Sequence, residues 1–209
     1  MVLNILIVAN GSIENYSFYK NLIKKSDIII CADGGANTAV KLDIIPDYII
    51  GDLDSIKHDV LEYYKEKSEI IKDVNQNKTD FELALELAES KNPKNITIIG
   101  AIGKRIDHTF ANILSLIKIK KGIKAKIVDH HNTIELVDNN TEVIGKKNEI
   151  VSIIPLTNLK NLNYSGFKWD VKNLNTDFGW FGISNKLEGE KGIINLDKGK
   201  FLLVRVRKK

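Results

Sequence analysis

The chain has 209 residues, with hydrophobic residues at 43% and charged residues at 28%, values that fit one folded unit or two unequal ones and exclude a disordered or collagen-like chain. A single cysteine, Cys31, leaves no partner for an intramolecular disulfide or a cysteine-rich zinc site, and without a secretory leader pattern the expected compartment is the cytoplasm. No apolar run approaches the ~18 residues of a membrane-spanning helix, and the net charge of +4 divides unevenly, with 13 basic and 17 acidic residues in 1–110 against 18 and 10 in 111–209.

In chain order, the runs 4–9, 27–31, 48–50 and 96–99 are short, β-branched and closed by Asn, Gly or Asp, the pattern of strands buried on both faces. Helical spacing fills the intervals. It is weak over 17–25, 36–42 and 57–67, and firm where Phe81, Ala84, Leu85 and Ala88 recur behind Thr79 and Glu82, which are placed as a capping box. Phe110, Ile113, Leu114 and Ile117 form a second apolar helical stripe, with Asp107 at or just before its first turn. Strand and helix in alternation predict an α/β domain with a mainly parallel sheet over residues 1–125. After Gly122 the pattern changes to short runs at 126–128, 134–137, 150–154, 193–196 and 201–206, separated by Asn-, Gly- and Asp-rich turns. That predicts a smaller all-β sandwich or barrel over 126–209, with 126–128 able to close the first sheet or open the second.

Five aspartates fall where strands end or helices begin: Asp33, Asp52, Asp54, Asp80 and Asp107. In an open α/β sheet these positions share one rim, where ligands bind. If the segment after Gly51 is extended, Asp52 and Asp54 project to the same side, and a hard divalent cation, magnesium, relieves their repulsion. The four histidines, at 58, 108, 130 and 131, lack cysteine partners and helical i, i+4 spacing, so no zinc centre competes. Gly100, Gly103, Lys104 and Arg105 bring small and basic groups suited to phosphate. Acidic groups for metal beside basic groups for phosphate is the composition of a nucleotide phosphoryl-transfer site. Each also has a plain structural use: Asp80 and Asp107 favour helix starts, Gly34-Gly35 suits a turn, and Asp52–Ser55 suits a capping loop. Neither GxxxxGK[ST] nor GxGxxG occurs, which sets aside the common nucleotide-binding loops.

The strings ADGGAN (32–37), PDYIIGDLDS (46–55), KTDFELAL (78–85) and GAIGKRIDH (100–108), followed by GFKW (166–169) and GISN (182–185), resemble the ordered motif set of the thiamine pyrophosphokinase family over about residues 5–206. The resemblance implies an N-terminal α/β domain, a C-terminal β-sandwich, and a homodimer with active sites shared between subunits. It implies transfer of the β,γ-diphosphate of ATP to the hydroxyethyl group of thiamine, with release of AMP. Asp52, Asp54 and Asp80 then serve as magnesium ligands and catalytic carboxylates, while Asp33, Gly34, Gly103, Lys104, Arg105, Asp107 and His108 form the ATP side. Ser184 and Asn185 of a partner's sandwich face the aminopyrimidine, and Trp169, Trp180 or neither is the aromatic platform for the thiazolium. Gln76, Asn77 and Lys78 stand where many members carry an acidic residue.

In-line attack of the thiamine hydroxyl on the β-phosphorus builds charge on oxygens bridged by magnesium, so metal and position carry most of the rate. Asp54 or Asp80 is the candidate acceptor of the hydroxyl proton, a choice the residues leave open. One alternative is a related pyrophosphokinase acting on a different hydroxyalkyl heterocycle, such as a hydroxymethyl pterin; GISN argues for thiamine. Another is a nucleic-acid-binding protein, resting on the basic second half and on Arg205, Arg207, Lys208 and Lys209. Aromatic residues interleaved with basic ones are sparse there, so neither nucleic acid nor membrane is an expected partner. A catalytically dead Mg-ATP sensor is disfavoured because the motif aspartates are all present.

Overall fold

A computed structural model describes residues 2–73, 77–177 and 179–207 and divides into two compact units, 1–130 and 131–209. Gln76 and the terminal Lys208 and Lys209 lie outside the described residues.

The first unit is built on six parallel strands: β1 Asn4–Val8, β2 Ile28–Ala32, β3 Tyr48–Gly51, β4 Glu69–Lys72, β5 Asn95–Ile99 and β6 Lys124–Val128. Their order is β6-β5-β1-β2-β3-β4, every pairing parallel. Ile5 to Val8 are buried without a break, as a strand covered on both faces requires. Helices α1 Tyr16–Lys24, α2 Gly35–Lys41, α3 His58–Tyr64, α4 Asp80–Ser90 and α5 Ile106–Ser115 fall between successive strands. Because β6 pairs with β5 in parallel, it belongs to this sheet, and the first unit runs to His130 rather than to 125. The strand order reverses at β1, whose neighbours are β2 and β5. Loops leaving β1 and β5 therefore diverge and open a crevice at the carboxyl ends of the strands.

Two details depart from the sequence pattern. Strand β4 has two isoleucines between Glu69 and Lys72 and sits at the sheet edge, too short and too exposed for an apolar run to announce it. In the α5 stripe, Ile113 and Ile117 are half-buried, but Phe110 is 61% and Leu114 50% exposed. The period is that of a helix, while half the stripe stays outside the core.

The second unit is all β. One antiparallel layer runs β12-β9-β14-β7 and the other β11-β10-β13-β8. The strands are β7 Asn132–Val137, β8 Thr141–Ile144, β9 Ile150–Pro155, β10 Leu159–Ser165, β11 Val171–Thr176, β12 Gly182–Lys186, β13 Lys191–Asn195 and β14 Phe201–Val206. Alternate residues from both layers, among them Val151, Ile153, Phe201 and Leu203 from one and Leu159, Leu162, Tyr164 and Ile194 from the other, close a single apolar core. This is a sandwich.

Helix α4 matters most for the site, because its first residue is Asp80. The Thr79 hydroxyl accepts from the Glu82 amide (3.2 Å), and the Glu82 carboxylate accepts from the Thr79 amide (3.0 Å). Phe81, Leu83, Ala84, Leu85 and Ala88 bury the helix. Thr79→Ala is expected to lower the unfolding free energy by about 1 kcal/mol, read as a lower urea midpoint at unchanged m-value, with Thr79→Ser keeping most of the native stability.

Candidate active site

The crevice is closed at its base by backbone. The amide of Gly11, after β1, donates to Gly100 O (2.6 Å), and that of Ser12 to Ile102 O (3.0 Å). Gly100, after β5, takes φ 68°, a conformation that glycine adopts without a steric penalty. On the far side, Thr109 Oγ1 accepts from Gly103 N (3.1 Å), and Asn112 Nδ2 donates to Ala101 O (2.9 Å). The first turns of α5 are thereby pinned to the loop. The resulting cleft encloses about 590 Å³.

Three carboxylates meet in it. Asp33, Asp52 and Asp80 each place an oxygen so that all three lie within 4.8 Å of one another. Each comes from a different element: Asp33 directly after β2, Asp52 directly after β3, and Asp80 at the first position of α4. Gly51 lets them converge, since a Cβ there would lie 2.6 Å from Asp80 Oδ1 and 2.9 Å from Asp33 Cβ. Asp33 is 3% exposed, and its Oδ1 has no hydrogen-bond partner among the described residues. Burial first, then the neighbouring Asp52 and Asp54 charges, push the Asp33 carboxyl up from its ordinary pKa; burial first, then Asp33, do the same to Asp80. A set of hard oxygen donors, one of them buried and unsatisfied, fits a divalent cation such as magnesium.

Asp54 is not in this cluster. The expected same-side projection of Asp52 and Asp54 requires extended backbone, but Leu53 takes φ 70°. The chain turns there, the Asp54 amide donates to Asp52 Oδ1 (3.1 Å), and Asp54 Oδ1 accepts from Ser55 Oγ (2.9 Å). Asp33, read from the sequence as a pocket residue, takes the place in the triad.

Gly103, Lys104, Arg105 and His108 line the cleft, as expected of a phosphate side. Gly34 faces the Asn10 side chain, which a Cβ at position 34 would strike. Asp107 acts through Arg105: the guanidinium donates to it through Nε (2.9 Å) and Nη2 (2.5 Å), and this contact holds the Asp107 carboxyl well below the usual carboxylate range. Both side chains are exposed. Sequence reasoning did not single out Asn10, Ser12, Thr109 or Asn112, which also line the cleft. Asn10 carried the signal, because it closes an apolar strand as Asp33 does.

In the sandwich, Ser184 is exposed and Asn185 is buried. The β12–β9 register gains one extra residue between Gly182 and Asn185, and Ser184 takes φ 62° at this bulge. Trp180 packs against the sandwich core, whereas Trp169 is 53% exposed.

In metal-free buffer the native protein holds protons on Asp33 and Asp80 at pH values where the unfolded chain has released them. Stability therefore falls as pH rises from about 4 through the raised pKa values. Asp33→Asn should flatten that fall and raise Tm at neutral pH in EDTA, while shrinking the Tm gain that magnesium gives the native chain. Equal slopes and equal magnesium gains in the two proteins would remove Asp33 from the cation site.

Residues 19–127 match the family model described as thiamin pyrophosphokinase, catalytic domain, and residues 132–201 the one described as thiamin pyrophosphokinase, vitamin B1 binding domain. In sequence the chain is 31% identical over 183 residues to thiamine pyrophosphokinase of Bacillus subtilis (strain 168), covering 84% of this chain and 86% of that protein. In structure it is similar to the crystal structure of thiamine pyrophosphokinase from Bacillus subtilis, with TM-score 0.86, 29% identity, and 99% of this chain and 100% of that one covered. The thiamin pyrophosphokinase from Candida albicans gives TM-score 0.84 at 25% identity over 99% of this chain and 90% of that one. The two matched segments follow one another in the order of the two compact units, and on that agreement of sequence and fold the chain belongs to the thiamine pyrophosphokinase family.

Proposed function

We propose that this protein transfers the diphosphate of ATP to the hydroxyl of thiamine, giving thiamine diphosphate and AMP. The observation that carries the reading is the triad of Asp33, Asp52 and Asp80, set beside Gly103, Lys104 and Arg105 in one cleft. In this reading the three carboxylates hold magnesium with the triphosphate. Magnesium bound there neutralises charge that builds on the phosphate oxygens during transfer. Lys104 and Arg105 bind the phosphates, and ATP engagement draws the Arg105 fork from Asp107 onto a phosphate, since both offer it a pair of anionic oxygens. Asp54, outside the triad, has lone pairs not committed to the cation and takes the proton of the thiamine hydroxyl. Small side chains and backbone amides after β1 and β5 orient the nucleotide against this group.

The acceptor is read by the second unit, through the exposed Ser184 hydroxyl and an aromatic face. The protein acts as a homodimer in the cytoplasm, where MgATP is held, and each site combines the α/β unit of one chain with the sandwich of its partner. Nucleic-acid binding is less well supported: Arg205 is engaged by Glu149 (2.7 Å) and Ile144 O (2.7 Å), and Arg207 by Asn132 O (2.8 Å) and Thr133. Both guanidiniums are thus used within the sandwich. No helix among the described residues is long and apolar enough to cross a membrane.

Purified protein given MgATP and thiamine should release AMP, not ADP, in step with thiamine diphosphate; Asp52→Asn should lower turnover by about a hundredfold or more, a loss on the order of 2.7 kcal/mol. ADP as product, or no turnover of thiamine, would reject the reading.

The shared site has its own test. Asp52→Asn and Ser184→Ala chains, each weakly active alone, should on subunit exchange recover toward about a quarter of native activity, because half the dimers are mixed and each mixed dimer holds one unaltered site. Recovery that stays at the mean of the two variants, with exchange verified by mass, assigns each site to a single chain.

A further inference from the structure

Lys78 borders two cavities. It lines the active-site cleft beside Thr79 and Asp80, and it lines a smaller hollow of about 270 Å³ between α4 and the helical turn Leu116–Lys118, with Leu85 and Ile119 among the walls. Its ammonium is engaged on the side of the hollow, where it donates to Glu86 Oε2 on the second turn of α4 (2.7 Å). Glu82, nearer in sequence, is already committed: its Oε1 accepts from Lys118 Nζ (2.5 Å) and its Oε2 from the Thr79 amide (3.0 Å). The Glu86 contact raises the Lys78 pKa from its ordinary value, so the side chain is a cation at neutral pH.

The pair has the character of a resting position and not of a brace. Both side chains are open to solvent, at 38% and 56% exposure, and ion pairs of that kind contribute little to stability. The root of the lysine is fixed, because the next residue is the cap of α4 and its amide is bound. A flexible four-carbon stem on a fixed root lets the ammonium change partner without moving Asp80.

The cleft supplies the second partner. Strand order β5-β1-β2-β3 sets the loop with Lys104 and Arg105 on one side of β1 and the anchors of Asp33 and Asp52 on the other, while α4, which carries Asp80, packs over β1, β2 and β3. On the carboxylate side Lys78 is the one basic residue among the described residues that line the cleft. A nucleotide seated by the small residues after β1 and β5 runs its phosphates across the triad toward Lys78. The last phosphate then needs a cation that Lys104 and Arg105, behind it, do not provide.

We propose that Lys78 is a two-position phosphate ligand, which leaves Glu86 to grip the terminal phosphate of ATP and so selects nucleotides that carry a full diphosphate to transfer. This rests on the MgATP reading of the cleft given above. Because the terminal phosphate travels with the transferred group, Lys78 stays with the diphosphate and not with AMP. Glu86 competes with the nucleotide for the same ammonium.

The test is calorimetric binding of ATP, inorganic diphosphate and AMP to the full chain in magnesium buffer, with thiamine turnover measured alongside. Lys78→Met should weaken ATP and diphosphate about tenfold or more and leave AMP within about twofold; the KM for MgATP should rise and that for thiamine hold. Lys78→Arg, which keeps the charge, should lie nearer the native chain. Glu86→Gln frees the ammonium and should tighten ATP and diphosphate by about twofold to fivefold, the range an exposed ion pair allows, again with AMP unmoved. The double variant should behave as Lys78→Met alone, since with the lysine gone there is nothing for Glu86 to hold back. A pair that only braces α4 gives losses of one sign in both single variants. Native ATP affinity in Lys78→Met, an equal loss for AMP, or weaker ATP binding in Glu86→Gln each overturns the inference, and leaves the function intact where thiamine is still turned over. A native chain that binds no ATP and turns over no thiamine rejects the function, and the inference with it.

Discussion

Three carboxylates within 4.8 Å are the constraint around which the first unit is organised. At an effective dielectric near 20, each pair at that spacing repels by about 3 kcal/mol, a large fraction of the ~5–15 kcal/mol by which a domain is stable. Raised carboxyl pKa values at Asp33 and Asp80 express the same repulsion, added to the effect of burial. The fold withstands it by separating the anchors. Asp33 is tied to the sheet by its amide on Ile50 O (2.8 Å), Asp52 follows a buried strand, and Asp80 is set by the capping box of a buried helix. No single loop carries the strain, so the fold itself holds the cluster assembled.

Backbone conformation is the second ingredient. Asparagine and aspartate tolerate the left-handed region, and they account for most non-glycine residues found there among those described. The exceptions are Leu53, at 70°, and Ser184, at 62°. One lies between Asp52 and Asp54, and the other is the third residue of GISN. Both turn the chain and send two neighbouring polar side chains to different surroundings, Asp52 and Asp54 in one case, Ser184 and Asn185 in the other. Strain of this kind gathers where geometry is used.

These two residues also mark where sequence reading stops. Strands β1, β2, β3 and β5 were legible because interior parallel strands are apolar on both faces, and α4 because Thr79 and Glu82 write its start in full. The rim followed from the alternation of strand and helix, and with it the expectation that the five aspartates at strand ends and helix starts gather there; which three meet did not. The exclusion of Asp54 did not, since nothing in the word DLDS says that its leucine leaves the extended region. Strand β4 was hidden by its brevity at the sheet edge. The α5 stripe misled for a different reason: period reports that a face is apolar, not what covers it, and Phe110 and Leu114 remain largely exposed. In the sandwich, GISN lies on β12, but the bulge that separates Ser184 from Asn185 is a property of the pairing with β9 and is visible only once the partner strand is known.

Gly51 draws the last consequence. It sits at φ 148° with the carboxylate oxygen of Asp80 where its own side chain would begin. The aspartates are the residues a catalogue of chemistry would name, yet each has neighbours of similar size and polarity in the amino-acid alphabet. Position 51 has none. A tight restriction on sequence variation in this site therefore falls on a residue with no functional group, and the cluster is encoded as much by a missing carbon as by six oxygens.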